Sequence, residues 1–335
     1  MSFKSYFLVG GAGFVGSHFI DALLKQNDLE KITIFDNFSN GKEWHYADHK
    51  NDPRLSVIKA DVKDLDVLTQ AMQKHDAVMH FASNSDIAQA AKTPSIDFTD
   101  GIYLTFQVLE AARVTKIKRI IYISGSGVYG DVKELESRED QGSLHPISPY
   151  GASKLAGEAF ISSYCHMFGL TACVFRFGNV VGPRQTHGIG YDLVKSLYKN
   201  TATLRILGDG TQSKSYIYAD DVVAAVLLAN EKLTTPFEIY NVATGDYITV
   251  REIAEIILEC MGLQQQTKFE FTGGDRGWNG DVPIVRLNTD KIRALGWKCQ
   301  RNCAQAIRES IVAIMQHVEE GLISTQKSSL TSVDI

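Results

Sequence analysis

The sequence lacks several signatures that would narrow its class at once. Its five cysteines, Cys165, Cys173, Cys260, Cys299 and Cys303, form no Cys-x-x-Cys pair. Cys299 and Cys303 have no further partners at zinc-ligand spacing, so no metal site is expected. An odd, scattered set of thiols reads as reduced and points to the cytoplasm. There is no basic excess: 34 Lys and Arg stand against 39 Asp and Glu, a formal charge of -5, which excludes a nucleic-acid footprint. No long hydrophobic run exists either. The longest fully apolar stretch, residues 222–229, is far short of the ~20 residues that span a bilayer, so no membrane partner is expected. The apolar stretch at 6–9 is too short for a signal peptide and runs straight into glycines.

What is present is enough for a large core: 335 residues, 44% of them hydrophobic. Apolar, strand-like runs at 6–9, 31–35, 55–59, 77–81, 119–124 and 171–177 alternate with helical patterns at 15–24, 65–74, 98–115 and 150–168. That rhythm predicts an α/β fold, a Rossmann-type doubly wound parallel sheet with both faces covered. After Asn179 the rhythm breaks into glycine-rich loops and mixed elements. The expected division is a dinucleotide-binding domain over 1–178, a smaller mixed substrate lobe over 179–322 interleaved with the main sheet, and a flexible Ser- and Thr-rich tail over 323–335.

Between the first strand and first helix lies Gly10-Gly11-Ala12-Gly13-Phe14-Val15-Gly16. Glycines there allow a tight turn and a close backbone approach to a pyrophosphate, which the helix N-terminus then faces. Asp36, 20 residues beyond Gly16, ends the second strand. A carboxylate at that place accepts hydrogen bonds from ribose hydroxyls and repels a 2′-phosphate, which favours NAD over NADP.

Tyr150 and Lys154 stand at i and i+4, on one helix face. A phenol is a poor base at neutral pH. A neighbouring ammonium and a cationic nicotinamide would favour its phenolate and make it an acid/base catalyst.

Together these motifs resemble the extended short-chain dehydrogenase/reductase family, within it the nucleotide-sugar epimerases and dehydratases, nearest to the UDP-glucose 4-epimerase type. The resemblance runs over about residues 5–320 and includes Val128-Tyr129-Gly130, Arg176-Phe177-Gly178-Asn179, Gly182-Pro183-Arg184-Gln185, Gly208-Asp209-Gly210, Asp220-Asp221-Val222 and Leu295-Gly296-Trp297. It implies that Gly10, Gly13, Phe14, Val15 and Gly16 cradle the NAD pyrophosphate. Asp36, with Asn37, Ser39, Asn40 and Gly41, would hold the adenosine ribose, and Asp61 with Val62 the adenine. Phe81, Ala82, Ser83 and Ser124 would line the cofactor. Tyr150 would be the acid/base and Lys154 would bind the nicotinamide ribose. Asn179, Lys214, Tyr216 and Arg276 would contact a nucleotide-diphosphate sugar; Arg184 would do so too or would simply close its loop. The helices at 98–115 and 150–168 would form a homodimer interface. The implied reaction is C4 epimerisation through a transient 4-keto sugar.

The chain departs from that pattern in places. The family's catalytic Ser or Thr falls at Gly125, between Ser124 and Ser126. Alternation on a strand would turn both serines the other way, but the flanking glycines let the backbone present Ser126 instead, the expected substitute. Dehydratases carry an Asp-Glu pair, and UDP-glucuronate decarboxylases a Glu, where Ser126 and Gly127 stand here. Gly101 replaces a usual Asn, and Lys214-Ser215 a usual Arg-Asp. A keto-sugar 4-reductase or dehydrogenase, a 4,6-dehydratase and a non-catalytic NAD-binding protein remain the alternatives. His45 and His49 read as a solvated face, His80 as a packed core histidine, and the glycine-rich loop around Trp278 as a substrate lid.

Overall fold

A computed structural model describes residues 3–325. The chain begins with β1 (Ser5–Val9), α1 (Phe14–Leu24), β2 (Lys31–Asp36), β3 (Leu55–Lys59), α2 (Leu65–Met72) and β4 (Ala77–His80). It continues with α3 (Tyr103–Thr115), β5 (Arg119–Gly125), α4 (Pro149–Phe168) and β6 (Thr171–Phe177). β1, β2 and β4 bury both faces, which is why their sequences are apolar without alternation. β3 is the exception, half exposed, and it forms one edge of the sheet.

The rest of the chain supplies β7 (Asn179–Val181), α5 (Ile189–Lys199), β8 (Thr203–Ile206), β9 (Ser213–Lys214), β10 (Tyr216–Tyr218) and α6 (Ala219–Lys232). Then come β11 (Phe237–Val242), β12 (Ile248–Thr249), α7 (Val250–Met261), β13 (Lys268–Phe271), α8 (Asp290–Ala294) and α9 (Cys303–Glu319). The main sheet has seven strands in the order β11-β6-β5-β4-β1-β2-β3, every pair parallel. This is the doubly wound sheet expected, with β11 returning from the second half of the chain to its edge.

Each sheet face has its own core. One includes Phe19, Ile20, Phe175 and Val226; the other includes Phe7, Leu68, Val108 and Ile161. A third core, with Val194, Ile257 and Ile311, holds α5, α7 and α9 together as the smaller lobe. Ile323, the first residue of the expected tail, is buried in that third core. Residues 326–335 of the tail lie outside the described residues.

Two local departures matter for the site. The helix expected over 98–115 is interrupted: Phe98–Ile102 forms a π-helical turn with Asp100 at φ −107°, ψ 15°, and α3 starts only at Tyr103. A Cβ on Gly101 would lie 2.8 Å from Ser153 Oγ, so this turn packs directly on α4. α4 itself starts where its caps dictate. Ser148 Oγ accepts the Gly151 N–H, Pro149 takes the first position, and Gly169 closes the helix at φ +71°. Among the described residues no helix is long and apolar enough to cross a membrane, and all five cysteines are free.

Candidate active site

The strand order reverses between β1 and β4, so the connections after these two strands diverge to opposite faces and leave a crevice at their carboxyl ends. The glycine loop fills that end. Gly10 sits at φ +77°, and a Cβ there would be 2.6 Å from Ala82 N. A Cβ on Gly16 would be 2.8 Å from Gly11 Cα. The loop is therefore closed against β4 on one side and α1 on the other. α1 follows Gly13, which supplies no side-chain cap, and has no acid in its first turn, leaving its N–H groups to meet an anion.

Asp36 stands at the end of β2, as the sequence suggests. Its Oδ2 accepts the Ala12 N–H (3.0 Å) and its Oδ1 the Phe38 N–H (2.8 Å), while burial pushes the carboxyl above its usual range. Next to it Asn37 donates to Asp61 (3.3 Å), which brings the ends of β2 and β3 together. Val62 is buried beside them, and Gly41 packs on Ala12 and Asp36. From β4, Phe81 and Ala82 both donate backbone hydrogen bonds to Val9 (2.8 and 3.0 Å), so Ser83 follows immediately beside the glycine loop.

Tyr150 and Lys154 occupy the first two turns of α4. Lys154 Nζ is 5.5 Å from the Tyr150 ring centre and 5.3 Å from that of Tyr122, and it donates to the Ile123 carbonyl (2.9 Å). Burial lowers Lys154 to about 8, against the opposing fields of Asp97 and Glu158. Tyr150 is raised to about 12, first by burial and then by Asp97; a hydrogen bond with Ser83 works the other way. Burial thus holds Tyr150 above the ordinary phenol range in this structure, opposite in direction to the depression that the sequence suggests.

Ser124 and Ser126 take different environments. Ser124 donates to Glu158 (2.6 Å), which is paired with Arg176 (2.6 Å); Arg176 also donates to the Tyr129 hydroxyl (2.9 Å). This buried network ties β5, α4 and β6 together and commits the Ser124 hydroxyl to it. Gly125 is extended, with nothing within 4 Å of a Cβ built there. Ser126 opens a 3-10 turn, Ser126–Tyr129, so strand alternation stops before it.

The expected substrate residues fall into two groups. Asn179 and Tyr216 meet side chain to side chain where β7 pairs with β10. Lys214 Nζ is 2.6 Å from Asp281 Oδ1, and Arg276 donates to the Asp281 carbonyl (2.6 Å) and to Asp131. Asp131 also meets Lys133 (2.9 Å). The loop carrying Trp278 reaches α4: a Cβ on Gly280 would lie 3.3 Å from the Ile147 carbonyl. Arg184 is not brought to this group. At φ +65°, it donates to Asp21 and to the His45 carbonyl (3.0 Å), and lies 3.2 Å from His18, latching its loop to α1.

Residues 6–243 match the family described as NAD dependent epimerase/dehydratase. The chain belongs to that family. It is 28% identical over 312 residues to a UDP-glucose 4-epimerase of Mycolicibacterium smegmatis, covering 91% of this chain and 96% of that one. It is 28% identical over 322 residues to the human dTDP-D-glucose 4,6-dehydratase, covering 92% and 89%. Among solved structures it resembles the Bacillus cereus UDP-glucuronic acid 4-epimerase, determined with UDP-glucuronic acid and NAD. The TM-score there is 0.83 at 25% identity, over 93% of this chain and 99% of that one.

As a member of the epimerase/dehydratase family the protein is an enzyme, and NAD is its cofactor. Its residues fit that group: the glycine cradle leaves no room for a Cβ at Gly10 or Gly16, the α1 terminus has no side-chain cap, and the Asp36 carboxylate is held against the loop by the Ala12 N–H. Sequence reasoning did not anticipate the hydrogen bond of Ser83 with Tyr150 or the field of Asp97 on it. Only the juxtaposition of the loop after β4, the π turn and α4 reveals them. His45 is not on a solvated face as expected: it is buried, with Nδ1 2.7 Å from the Ala12 carbonyl, and burial lowers it to about 4. His80 is buried beside Thr105 (3.2 Å) and lowered to about 3. Among the described residues no group of three His, Cys, Asp or Glu side chains could hold a metal ion.

Proposed function

We propose that this enzyme interconverts C4 epimers of a nucleotide-diphosphate sugar, as UDP-glucose 4-epimerases do. The observation that carries the reading is the Tyr150–Lys154 pair beside the cofactor crevice, followed on the β5 side by Gly125, Ser126 and Gly127, which offer no carboxylate. Eliminating water from the sugar would need a further acid and base there; their absence favours epimerisation over 4,6-dehydration.

In this reading Tyr150 Oη takes the proton of the sugar 4-hydroxyl and later returns it. Lys154, as an ammonium, holds the nicotinamide ribose and favours the phenolate. Bound NAD supplies the hydride acceptor and donor. The hydroxyl that Gly125 lacks comes from Ser126 or Ser83; the contact of Ser83 with Tyr150 supports the latter, and the turn that frees Ser126 from the strand keeps it in play. Lys214 and Arg276, with Asn179 and Tyr216, receive the diphosphate, where charge-assisted hydrogen bonds are strongest. Arg184, committed to Asp21, shapes the floor of the crevice rather than the phosphate site.

Two further parts belong to the proposal. The outer faces of α3 and α4 expose Phe106 and Phe160, whose ring centres are 6.4 Å apart, with Tyr103, Met167 and Phe168. This apolar face supports pairing of two copies through α3 and α4. The free cysteines support a reducing compartment, the cytoplasm.

The test begins with small molecules released on denaturing the purified protein, identified by mass spectrometry. Fresh enzyme is then incubated with a panel of UDP- and dTDP-sugars and the products read by NMR. Release of NAD, with one sugar converted to its C4 epimer without added cofactor, supports the proposal. Turnover only with stoichiometric NADH or NADPH consumption replaces it with the reductase reading.

A further inference from the structure

Asp97 is a buried carboxylate that the reaction as described above does not use. It is 2% exposed, at the start of the π turn that packs on α4. Asn84 Nδ2 donates to its Oδ1 (3.0 Å) and to the Asp86 carbonyl (2.9 Å), and the Asn84 N–H donates to the Asp100 carbonyl (3.2 Å). Asn84 thus clamps the loop after β4 to the π turn and fixes Asp97 between them. The other oxygen, Oδ2, is buried with no hydrogen-bond partner. A buried, half-satisfied carboxylate is costly unless a charge nearby compensates it. The turn that carries it packs on α4 through Gly101 and Ser153, the residue before Lys154. Burial pushes the Asp97 carboxyl above its usual range and the Lys154 ammonium works the other way, while Asp97 acts in turn on Lys154 and Tyr150.

The other charged and titratable groups around this cluster are few. Glu158 faces Lys154 from the same helix, Tyr122 from β5 and His80 from β4; Asp100 faces Asp97 from its own turn. Glu158 is already bound by Arg176 and Ser124. Asp100 is paired with Lys63 (2.6 Å), so among the described residues Asp97, with one oxygen held by Asn84 and the other without a partner, is the negative charge of the cluster that no ion pair takes up.

We propose that Asp97 is a positioning residue for the Tyr150–Lys154 pair: its free carboxylate oxygen keeps Lys154 an ammonium inside the fold and sets the pH at which Tyr150 gives up its proton. The proposal rests on the reading of Tyr150 as the acid/base. The sign follows from charge. Removing one negative group beside both side chains makes each lose its proton more readily, so both titrations move to lower pH together. A merely structural role would lower activity without moving them.

The test uses the NAD-bound protein and no sugar. The tyrosinate absorbance of the wild type is titrated against its Tyr150→Phe counterpart, and the same pair is made with Asp97→Asn, which retains the acceptor for Asn84. The Tyr150 midpoint is expected to fall by about one pH unit or more in Asp97→Asn, and Asp97→Glu, which keeps the charge, is expected to stay with the wild type. Asp97→Ser serves if Asp97→Asn does not fold. An unmoved midpoint in a folded neutral variant overturns the proposal. So does failure of both neutral variants to fold, which would make Asp97 a structural group. Because no sugar is present, a shifted midpoint in a protein without epimerase turnover would leave the role of Asp97 standing and remove the C4 reading alone.

Discussion

Replacing Gly10 by alanine tests the cofactor cradle at its tightest point. Gly10 holds φ +77°, and its backbone N–H donates to the Phe35 carbonyl (2.8 Å), so the loop is not free to rotate away. A side chain at positive φ costs about 1–2 kcal/mol. The new Cβ would also lie 2.6 Å from Ala82 N and 2.8 Å from Ala82 Cα, both backbone atoms. Relieving that contact pushes the end of β4 outward and strains the Ala82–Val9 hydrogen bond, an overpacking cost of about 1–3 kcal/mol. The sum is about 2–5 kcal/mol, which at about 2 °C per kcal/mol for a chain this long lowers the melting temperature by about 4–10 °C. Because Ser83 follows Ala82, the variant is also expected to bind NAD poorly. Gly125→Ala is the control: its backbone is extended and its Cβ meets nothing within 4 Å, so it should stay within about 0.5 kcal/mol of the wild type. Calorimetry on cofactor-free protein and NAD content per chain read the two effects. A Gly10→Ala protein that melts with the wild type and retains its NAD would refute the reasoning, as would a Gly125→Ala protein that falls equally far.

Tyr150→Phe should keep NAD and lose about 100- to 10,000-fold in kcat; a variant with near-full turnover removes Tyr150 as acid/base. Ser83→Ala should lose about 10- to 100-fold in kcat, as expected for one hydrogen bond to a charged group. Adding Gly125→Ser should restore part of it; if Ser126→Ala loses more than Ser83→Ala, the hydroxyl comes from Ser126. Phe160→Glu, beside Phe106, should shift the molar mass from light scattering from dimer to monomer, and an unchanged mass would place the interface elsewhere. Acid should weaken the fold. His45 and His80 are held neutral at about 4 and about 3, below the ordinary 6.5, so below pH 6.5 the unfolded chain binds protons that the folded chain refuses. Their contribution is fully present above pH 6.5 and is lost as pH falls toward 3. Asp192, raised to about 6 by burial, opposes this in part as pH falls through its own range. Urea midpoints should therefore drop between pH 7 and pH 5, and equal midpoints would contradict the burial of the two histidines.

Six of the seven strands were legible, most of them because they are doubly buried, and the first turn because it is glycine-rich; both features come from local residue type, whereas β11 lies beyond the regular rhythm and was not foreseen. The Tyr150–Lys154 pair was legible for the same reason, since helix spacing alone puts the two side chains on one face. The break at 98–102 was not, because Gly101 yields to Ser153 on another helix and nothing nearby in sequence announces that contact. The bond of Ser83 to Tyr150 and the field of Asp97 on it were hidden similarly: a serine after a strand and an aspartate before a helix are ordinary until a loop and a turn are folded onto Tyr150. For Arg184 the sequence left a substrate contact and a loop closure equally open, because Gly-Pro-Arg-Gln says only that a turn occurs; its guanidinium goes to Asp21, far back in the sequence. His45 misled by its polar surroundings in sequence, while the fold seals it beneath the glycine loop.

The return of β11 to the sheet bears on how the chain is made. β11 pairs along its whole length with β6, from Phe237 opposite Ala172 to Val242 opposite Phe177. Until residue 242 has left the ribosome, the outer edge of β6 has no neighbour, and that strand, mostly apolar, is buried in the finished protein but for its first residue. An open, apolar edge in a nascent chain invites pairing with other chains. The half that carries the glycine loop therefore cannot complete its sheet as it emerges, and it depends on a segment translated after most of the smaller lobe's first elements. A fragment ending near residue 178 is expected to aggregate rather than behave as a free-standing dinucleotide-binding domain, and the two lobes are coupled at birth before any ligand couples them.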